Sequence, residues 1–132
     1  MIIISTAKLT EILRQLNENG FKASIFALKD GLPLASHSIN MNEKIVAAIS
    51  AMVMDTIEKV KTDFGLSKMI NIKINLEDIC ILMRNLEIEN KSYILAGIAD
   101  KPQNDEVERY NEQLLDWAEE NGRPVLEKLG SI

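Results

Sequence analysis

The sequence has few of the residues and motifs on which most catalytic and metal sites depend. Its 132 residues include one cysteine and one histidine. A single cysteine excludes an internal disulfide and fits a reducing compartment, so we expect a cytoplasmic protein. The six glycines form no GxxxxGK or GxGxxG motif, which argues against a P-loop nucleotide hydrolase. No apolar run approaches the roughly 20 residues of a membrane-spanning helix, so we expect no direct membrane insertion.

The overall composition is that of an ordinary globular protein. Hydrophobic residues make up 46% of the chain and charged residues 27%. The length predicts a single domain over residues 1–132. The net charge of −5 argues against nucleic acid as a partner, because binding to phosphates requires an excess of cations.

The few residues capable of chemistry are not arranged for it. His37 lies between two serines, but neighbours in an extended segment point to opposite faces, so we expect a surface histidine. Cys80 lies in an apolar run and is expected to be an inert core thiol. No cluster has metal-ligand spacing, so no enzyme, metal site or cofactor is predicted. An arginine acting on a partner's nucleotide is conceivable, but nothing distinguishes one among Arg14, Arg84, Arg109 and Arg123.

Hydrophobic periodicity predicts the order α-β-β-α-β-β-β-α in one compact α+β domain. The first helix is expected to start at a Ser5 or Thr6 cap and to end at Gly20. Its apolar stripe is Leu9, Ile12, Leu13 and Leu16. The five strands are predicted at Lys22–Lys29, Pro33–Ser38, Met69–Asn75, Ile79–Glu87 and Ser92–Ala99. The first and fifth are apolar on nearly every residue and should be covered on both faces.

Two further helices are predicted. The second helix spans roughly residues 42–64, and the last helix spans Asp105–Glu120. The last helix is expected to bury Val107, Tyr110, Leu114, Trp117 and Ala118. Gly122 and Pro124 are expected to interrupt it, which makes residues 121–132 a C-terminal extension with a short final helical turn.

The most specific local signal is the turn between the first two strands. Asp30 and Gly31 separate two β-like segments, and Asp-Gly is typical of a tight type I′ turn in which both central residues have positive φ. Pro33 suits the start of an edge strand because it has no N–H to donate.

The second helix is apolar on its outward side in its first half. From Ile45 to Met54 the one polar residue is Ser50. Packing by the terminal helices would explain this pattern, as would the high helix propensity of alanine. A contiguous apolar surface also indicates a partner, and self-association is the first candidate. The predicted contact residues are Ala47, Ala48, Ala51, Met52, Met54, Asp55 and Lys59.

The third strand supports self-association independently. Its isoleucines alternate with polar residues, which is typical of an edge strand or of a strand with one uncovered face. An exposed edge is a template for pairing with another copy, although Lys73 also fits a protected ordinary edge. The candidates for edge pairing are Ile70, Asn71, Ile72, Lys73 and Ile74.

The hairpin and its surroundings resemble the Roadblock (dynein light chain) domain family. The most specific part is the run Asp30–Ser36, which follows the first helix and Gly20 and precedes Glu43 and the Ala47-Ala48 helix. The strands at residues 70–74 and 93–99 look like the family's third and fifth strands. The C-terminal extension departs from the family pattern.

The resemblance implies a five-stranded antiparallel sheet in the order 2-1-5-4-3. The first and last helices would lie on one face and the second helix on the other. It also implies a homodimer, or a dimer with a second Roadblock-like chain, in which third strands join edge to edge and second helices lie side by side.

The same resemblance supplies the expected function, a non-enzymatic dimeric scaffold or regulator that binds a Ras-like small GTPase. The alternative is a structural adaptor or light-chain subunit of a larger assembly with no GTPase partner. A small-molecule sensor is a third class, and the lack of convergent polar groups argues against it.

Overall fold

The structure is a computed structural model that describes residues 2–30, 32–38, 51–52, 55–56, 58–59, 62–63 and 71–130. Its elements are the N-terminal helix Ile2–Glu18, β1 Phe21–Leu28, β2 Pro33–Ser38, β3 Asn71–Asn75, β4 Ile79–Ile88, β5 Lys91–Asp100 and the C-terminal helix Asp105–Gly130. Within the second helix predicted over 42–64, the described residues from 51 to 63 are helical. The rest of that helix lies outside the described residues, as do Met69 and Ile70.

The N-terminal helix packs through its predicted stripe. Leu9, Leu13 and Leu16 are completely buried, and Ile12 is nearly so. The helix begins at Ile2, before the predicted cap at Ser5 or Thr6. The Thr6 carbonyl accepts a hydrogen bond from Thr10 Oγ1, four residues later, as is usual for a threonine inside a helix. Gly20 follows the end of the helix with a φ of 123°, which confirms the need for glycine there.

The sheet has the order β2-β1-β5-β4-β3, and every neighbouring pair is antiparallel. This confirms the order implied by the resemblance. The central strand β5 is buried continuously from Tyr93 to Ala99, so it has no solvent-facing side. The two terminal helices cover one face, where Leu13 and Leu115 join a cluster with Phe26 and Leu95. On the opposite face, a second cluster is built around Ile25, Ile81 and Ile94.

Positive φ values occur in a different hairpin turn from the one that the sequence predicts. Asp30 does not have a positive φ, so the predicted type I′ turn is wrong at that residue, while Gly31 lies outside the described part. The Leu28 N–H donates to the Leu32 carbonyl across a three-residue loop, and Asp30 Oδ1 accepts the Leu32 N–H at 3.0 Å. The β4–β5 hairpin instead has the type I′ pattern, with φ of 50° at Glu89 and 69° at Asn90.

The C-terminal helix continues without interruption through Gly122 and Pro124, so the predicted break is wrong. The reason is a tertiary contact: Gly122, Val125 and Leu126 are buried against the sheet. A Cβ atom at Gly122 would lie 2.8 Å from Cζ of Phe26, so glycine allows the helix to approach the strand closely. The free energy gained by burying this part of the helix offsets the loss of the backbone hydrogen bond that Pro124 cannot donate.

The buried face of this helix also differs from the prediction. Val107 and Tyr110 are 40% and 43% exposed, and Leu114 and Trp117 are half-buried. Only Ala118 of the predicted set is fully buried. The buried residues recur at intervals of three and four along the whole helix, namely Asn111, Leu115, Ala118, Gly122, Val125 and Leu126. The helix therefore turns the same face toward the sheet before and after residue 121.

We expect Leu126→Ala to lower the free energy of unfolding by about 2–5 kcal/mol, because Leu126 is completely buried in the main core. Urea denaturation followed by circular dichroism measures this change. Leu129→Ala is the matched control, since Leu129 is only half-buried on the same helix. Equal costs for the two variants would contradict the integration of residues 121–130 into the core.

Candidate interaction surfaces

The outer edge of the sheet at β3 presents a regular row of backbone groups. The Leu76 N–H donates to the Ile79 carbonyl at 2.9 Å, and the β3–β4 register places Ile74 opposite Ile81 and Ile72 opposite Met83. Hydrogen-bonded pairs alternate along an antiparallel ladder, so Ile72 and Ile74 direct their backbone groups toward β4. The N–H and C=O groups of the three residues between and beside them therefore point away from the sheet. These residues are Asn71, Lys73 and Asn75.

The side chains of β3 alternate as the sequence predicts. Ile72 and Ile74 are half-buried and pack against the second core cluster. Asn71, Lys73 and Asn75 are exposed and lie on the face of the sheet that carries the C-terminal helix. The structure thus places four of the five predicted edge residues on one terminal strand. The fifth, Ile70, lies outside the described residues.

A network of charges joins this edge to the C-terminal helix. Lys73 Nζ forms a salt bridge with Glu108 and lies 3.9 Å from Glu112 Oε1. The hydrogen bond to Glu108 raises the pKa of Lys73, so the ammonium is charged at any physiological pH. Arg84 of β4 is buried next to it, 3.0 Å from Glu112 Oε2 and 2.5 Å from Asp116 Oδ1.

The same contacts decide which arginines are available to a partner. Arg84 has a side chain only 8% exposed and is held by the C-terminal helix, so it cannot reach another protein's nucleotide. Arg14 pairs with two glutamates of its own helix, and Arg123 pairs with Glu119. Arg109 is exposed on the C-terminal helix.

An open groove of about 790 Å³ lies where the helical residues near position 52 approach the sheet. One wall is formed by the ends of β1 and β5, and the other includes Ala51, Met52, Asp55 and Glu58. Lys29 Nζ lies 3.6 Å from Glu58 Oε1, across the two walls. The groove therefore combines an apolar lining with charges of both signs at its rim.

The residues predicted on the second helix divide between the groove and the undescribed part of the chain. Met52 is 70% exposed, the largest exposure among the big hydrophobic side chains that the structure describes. Asp55 and Lys59 are exposed, and Lys59 Nζ lies 3.3 Å from Asp55 Oδ2. Ala51 is half-buried. Ala47, Ala48 and Met54 lie outside the described residues.

His37 and Cys80, the two residues considered for chemistry, are both enclosed by the fold. His37 is half-buried rather than a surface residue, because the end of the N-terminal helix lies over the hairpin. Asn17 Nδ2 lies 2.6 Å from His37 Nδ1 and donates to the His37 carbonyl at 2.9 Å, while Ser24 Oγ donates to Asn17 Oδ1. Cys80 is 1% exposed, and burial raises the pKa of its thiol, which agrees with an inert core cysteine.

The described parts of the chain show neither a metal-ligand cluster nor a membrane-spanning helix. In those ranges, His, Cys, Asp and Glu side chains never come together in a group of three that could hold a metal ion. None of the helices described is both long enough and apolar enough to cross a membrane.

Sequence reasoning missed the groove and the charge network. Lys29 and Lys91 come together only because β1 and β5 are paired neighbours, and no short-range pattern reveals that. The network did leave a signal. Arg84 directly follows the five apolar residues Ile79–Met83 of β4, and acidic residues recur four positions apart at 108, 112 and 116 on the last helix.

Comparison with protein-family models finds no match for this sequence, and comparison with curated proteins finds none either. Solved structures do match. MglB of Myxococcus xanthus superposes with a TM-score of 0.72 at 12% identity, over 94% of this chain and 91% of that one. The gliding protein MglB of Thermus thermophilus gives 0.73 at 11% identity, over 94% and 92%.

A third match links the fold to the family named from the sequence. The Roadblock/LC7 domain from Streptomyces avermitilis superposes with a TM-score of 0.68 at 13% identity, over 89% of this chain and 96% of that domain. The matches cover nearly the full length on both sides, and the strand order agrees with the one that the resemblance implied. The chain therefore has the Roadblock fold.

Proposed function

We propose that the protein is a dimeric interaction module that binds a Ras-like small GTPase as a scaffold or regulator and catalyses no reaction itself. The observation that carries the proposal is the pair of exposed surfaces, the β3 edge and the groove beside Met52. The identity of the partner rests on the Roadblock resemblance, because Roadblock dimers commonly bind GTPases of this class. A cytoplasmic location belongs to the same proposal.

The β3 edge supports the dimer. A strand that ends a sheet and directs three N–H and three C=O groups outward is a template for another strand. Pairing with a second copy would extend the five-stranded sheet across the junction. A second Roadblock-like chain with a similar edge is the alternative occupant.

The groove supports a protein partner on the helical side. Met52 has a flexible, polarizable side chain and is well exposed, and such residues adapt to an opposing surface. Asp55 and Lys59 add a charged border that can select among partners. We assign these residues and Ala51 to a protein contact of the second helix, either with the GTPase or with the second copy, together with Ala47, Ala48 and Met54 from the sequence pattern.

The dimer can be tested at the first residue of β3. Asn71→Pro removes one outward N–H per copy at the first residue of β3, where proline does not disturb pairing with β4. Loss of two hydrogen bonds across a symmetric junction should raise the dimer dissociation constant about tenfold or more. Light scattering over a micromolar concentration series measures it.

Asn71→Ala is the matched control, since it removes the same side chain and keeps the N–H. Equal association of the proline and alanine variants would contradict pairing through the β3 backbone. A wild-type protein that remains monomeric throughout the series would contradict the dimer itself.

The GTPase partner can be tested by direct binding. Immobilised wild-type protein should retain a Ras-like GTPase from the same genome, tested separately in its GTP-loaded and GDP-loaded forms. Asp55→Lys should weaken that binding about tenfold, because it reverses a charge at the rim of the groove. Biolayer interferometry provides the affinities.

Asp63→Lys is the control, with the same charge change on an exposed helical residue that does not line the groove. Equal loss in both variants would point to net charge instead of contact at the groove. A dimer that binds no Ras-like protein in either nucleotide state would replace the GTPase proposal with the adaptor function.

A further inference from the structure

The position of Lys73 determines how two β3 strands can meet. We infer that two copies pair antiparallel about a two-fold axis at Lys73, so that Asn71 of one copy lies opposite Asn75 of the other. This inference rests on the proposed dimer and specifies its register. It also assigns Glu108 and Glu112 of the C-terminal helix a role in the association.

Hydrogen bonding favours this register over its neighbours. The outward N–H and C=O groups belong to Asn71, Lys73 and Asn75, as the alternation along β3 requires. An axis at Lys73 pairs all three with the second copy. Each then donates and accepts one bond, which gives six across the junction. Within the described residues of the strand, 71–75, an axis at Ile72 or Ile74 would pair only two of these three residues in each copy.

The side chains are self-complementary in the same register. On the face carrying the C-terminal helix, the amides of Asn71 and Asn75 meet across the junction and can exchange hydrogen bonds. On the other face, Ile72 of one copy meets Ile74 of the other. Both isoleucines are half-buried in the single chain, so pairing covers apolar area that continues the second core cluster.

The axis also brings two lysines face to face, and like charges directly opposite each other destabilise a sheet. Each Lys73 is already bonded to Glu108 and lies near Glu112. These carboxylates compensate the ammonium within its own chain before the copies meet. The acidic side chains of the C-terminal helix thus make the Lys73-centred register electrostatically acceptable.

Disulfide trapping can identify the register of the two β3 strands without a substitution at Lys73. Asn71→Cys and Asn75→Cys chains are mixed and oxidised with diamide, which takes the two hydrogens of each thiol pair. Opposite hydrogen-bonded residues have Cα atoms about 5.5 Å apart, within reach of a disulfide. Buried Cys80 stays in all variants because it is shielded from the oxidant. We expect a covalent dimer in the mixture and none from either variant alone.

A second set tests the axis directly. Lys73→Cys should cross-link to itself, whereas Ile72→Cys and Ile74→Cys should not. Cross-linking of Ile72→Cys or Ile74→Cys in its place would overturn the register and leave the dimer intact. Absence of any dimer in light scattering would refute the proposed function instead, so the two failures are distinguishable.

The role of the acidic residues has its own test. Glu108→Gln with Glu112→Gln should weaken dimerisation several-fold at low salt, because the two Lys73 ammonium groups lose their compensation. Adding Lys73→Gln should restore it. Glu106→Gln with Glu120→Gln removes the same charge from exposed positions of the same helix and should have little effect. An equal effect of both double variants, or no restoration, would overturn this role.

Discussion

Burial of β1 and β5 on both faces is the constraint on which the rest of the molecule depends. Strands without a solvent-facing side must lie inside a sheet that is covered above and below. The terminal helices provide one of these layers. Because β5 lies between β1 and β4, the two edge strands of the sheet are β2 and β3. The capacity of the sheet to pair with another chain is therefore confined to two short strands.

The two edges differ in how accessible they are. β2 begins with Pro33, and the end of the N-terminal helix is tied to it through the hydrogen bonds between Asn17 and His37. β3 carries three consecutive outward-pointing sets of backbone groups and no proline. The asymmetry follows from where the helices pack. In the proposed dimer, this asymmetry would direct association to β3, because the β2 edge is the more protected one.

Much of the fold was readable from local patterns, because burial of a strand leaves its mark on each residue. The bounds of β2 were predicted to the residue, and the alternation of β3 matched its exposure. The predicted helix break at Gly122 and Pro124 is wrong because a tertiary contact overrides the local preference of those residues. Gly122 packs against Phe26, which lies nearly 100 positions earlier in the chain. The groove and the Arg84 network are missed for the same reason, because each joins residues that only strand pairing or helix packing brings together.

Lys73 illustrates how a long-range contact changes the meaning of a local signal. A lysine on an edge strand normally protects the edge, because an uncompensated charge opposes pairing with another strand. Here the ammonium is turned onto the face of the sheet and bonded to Glu108, so much of that opposition is removed. A foreign strand would still have to accommodate a lysine flanked by carboxylates. In the proposed dimer, a second copy would meet that requirement by symmetry, since it would bring the same compensated lysine to the axis.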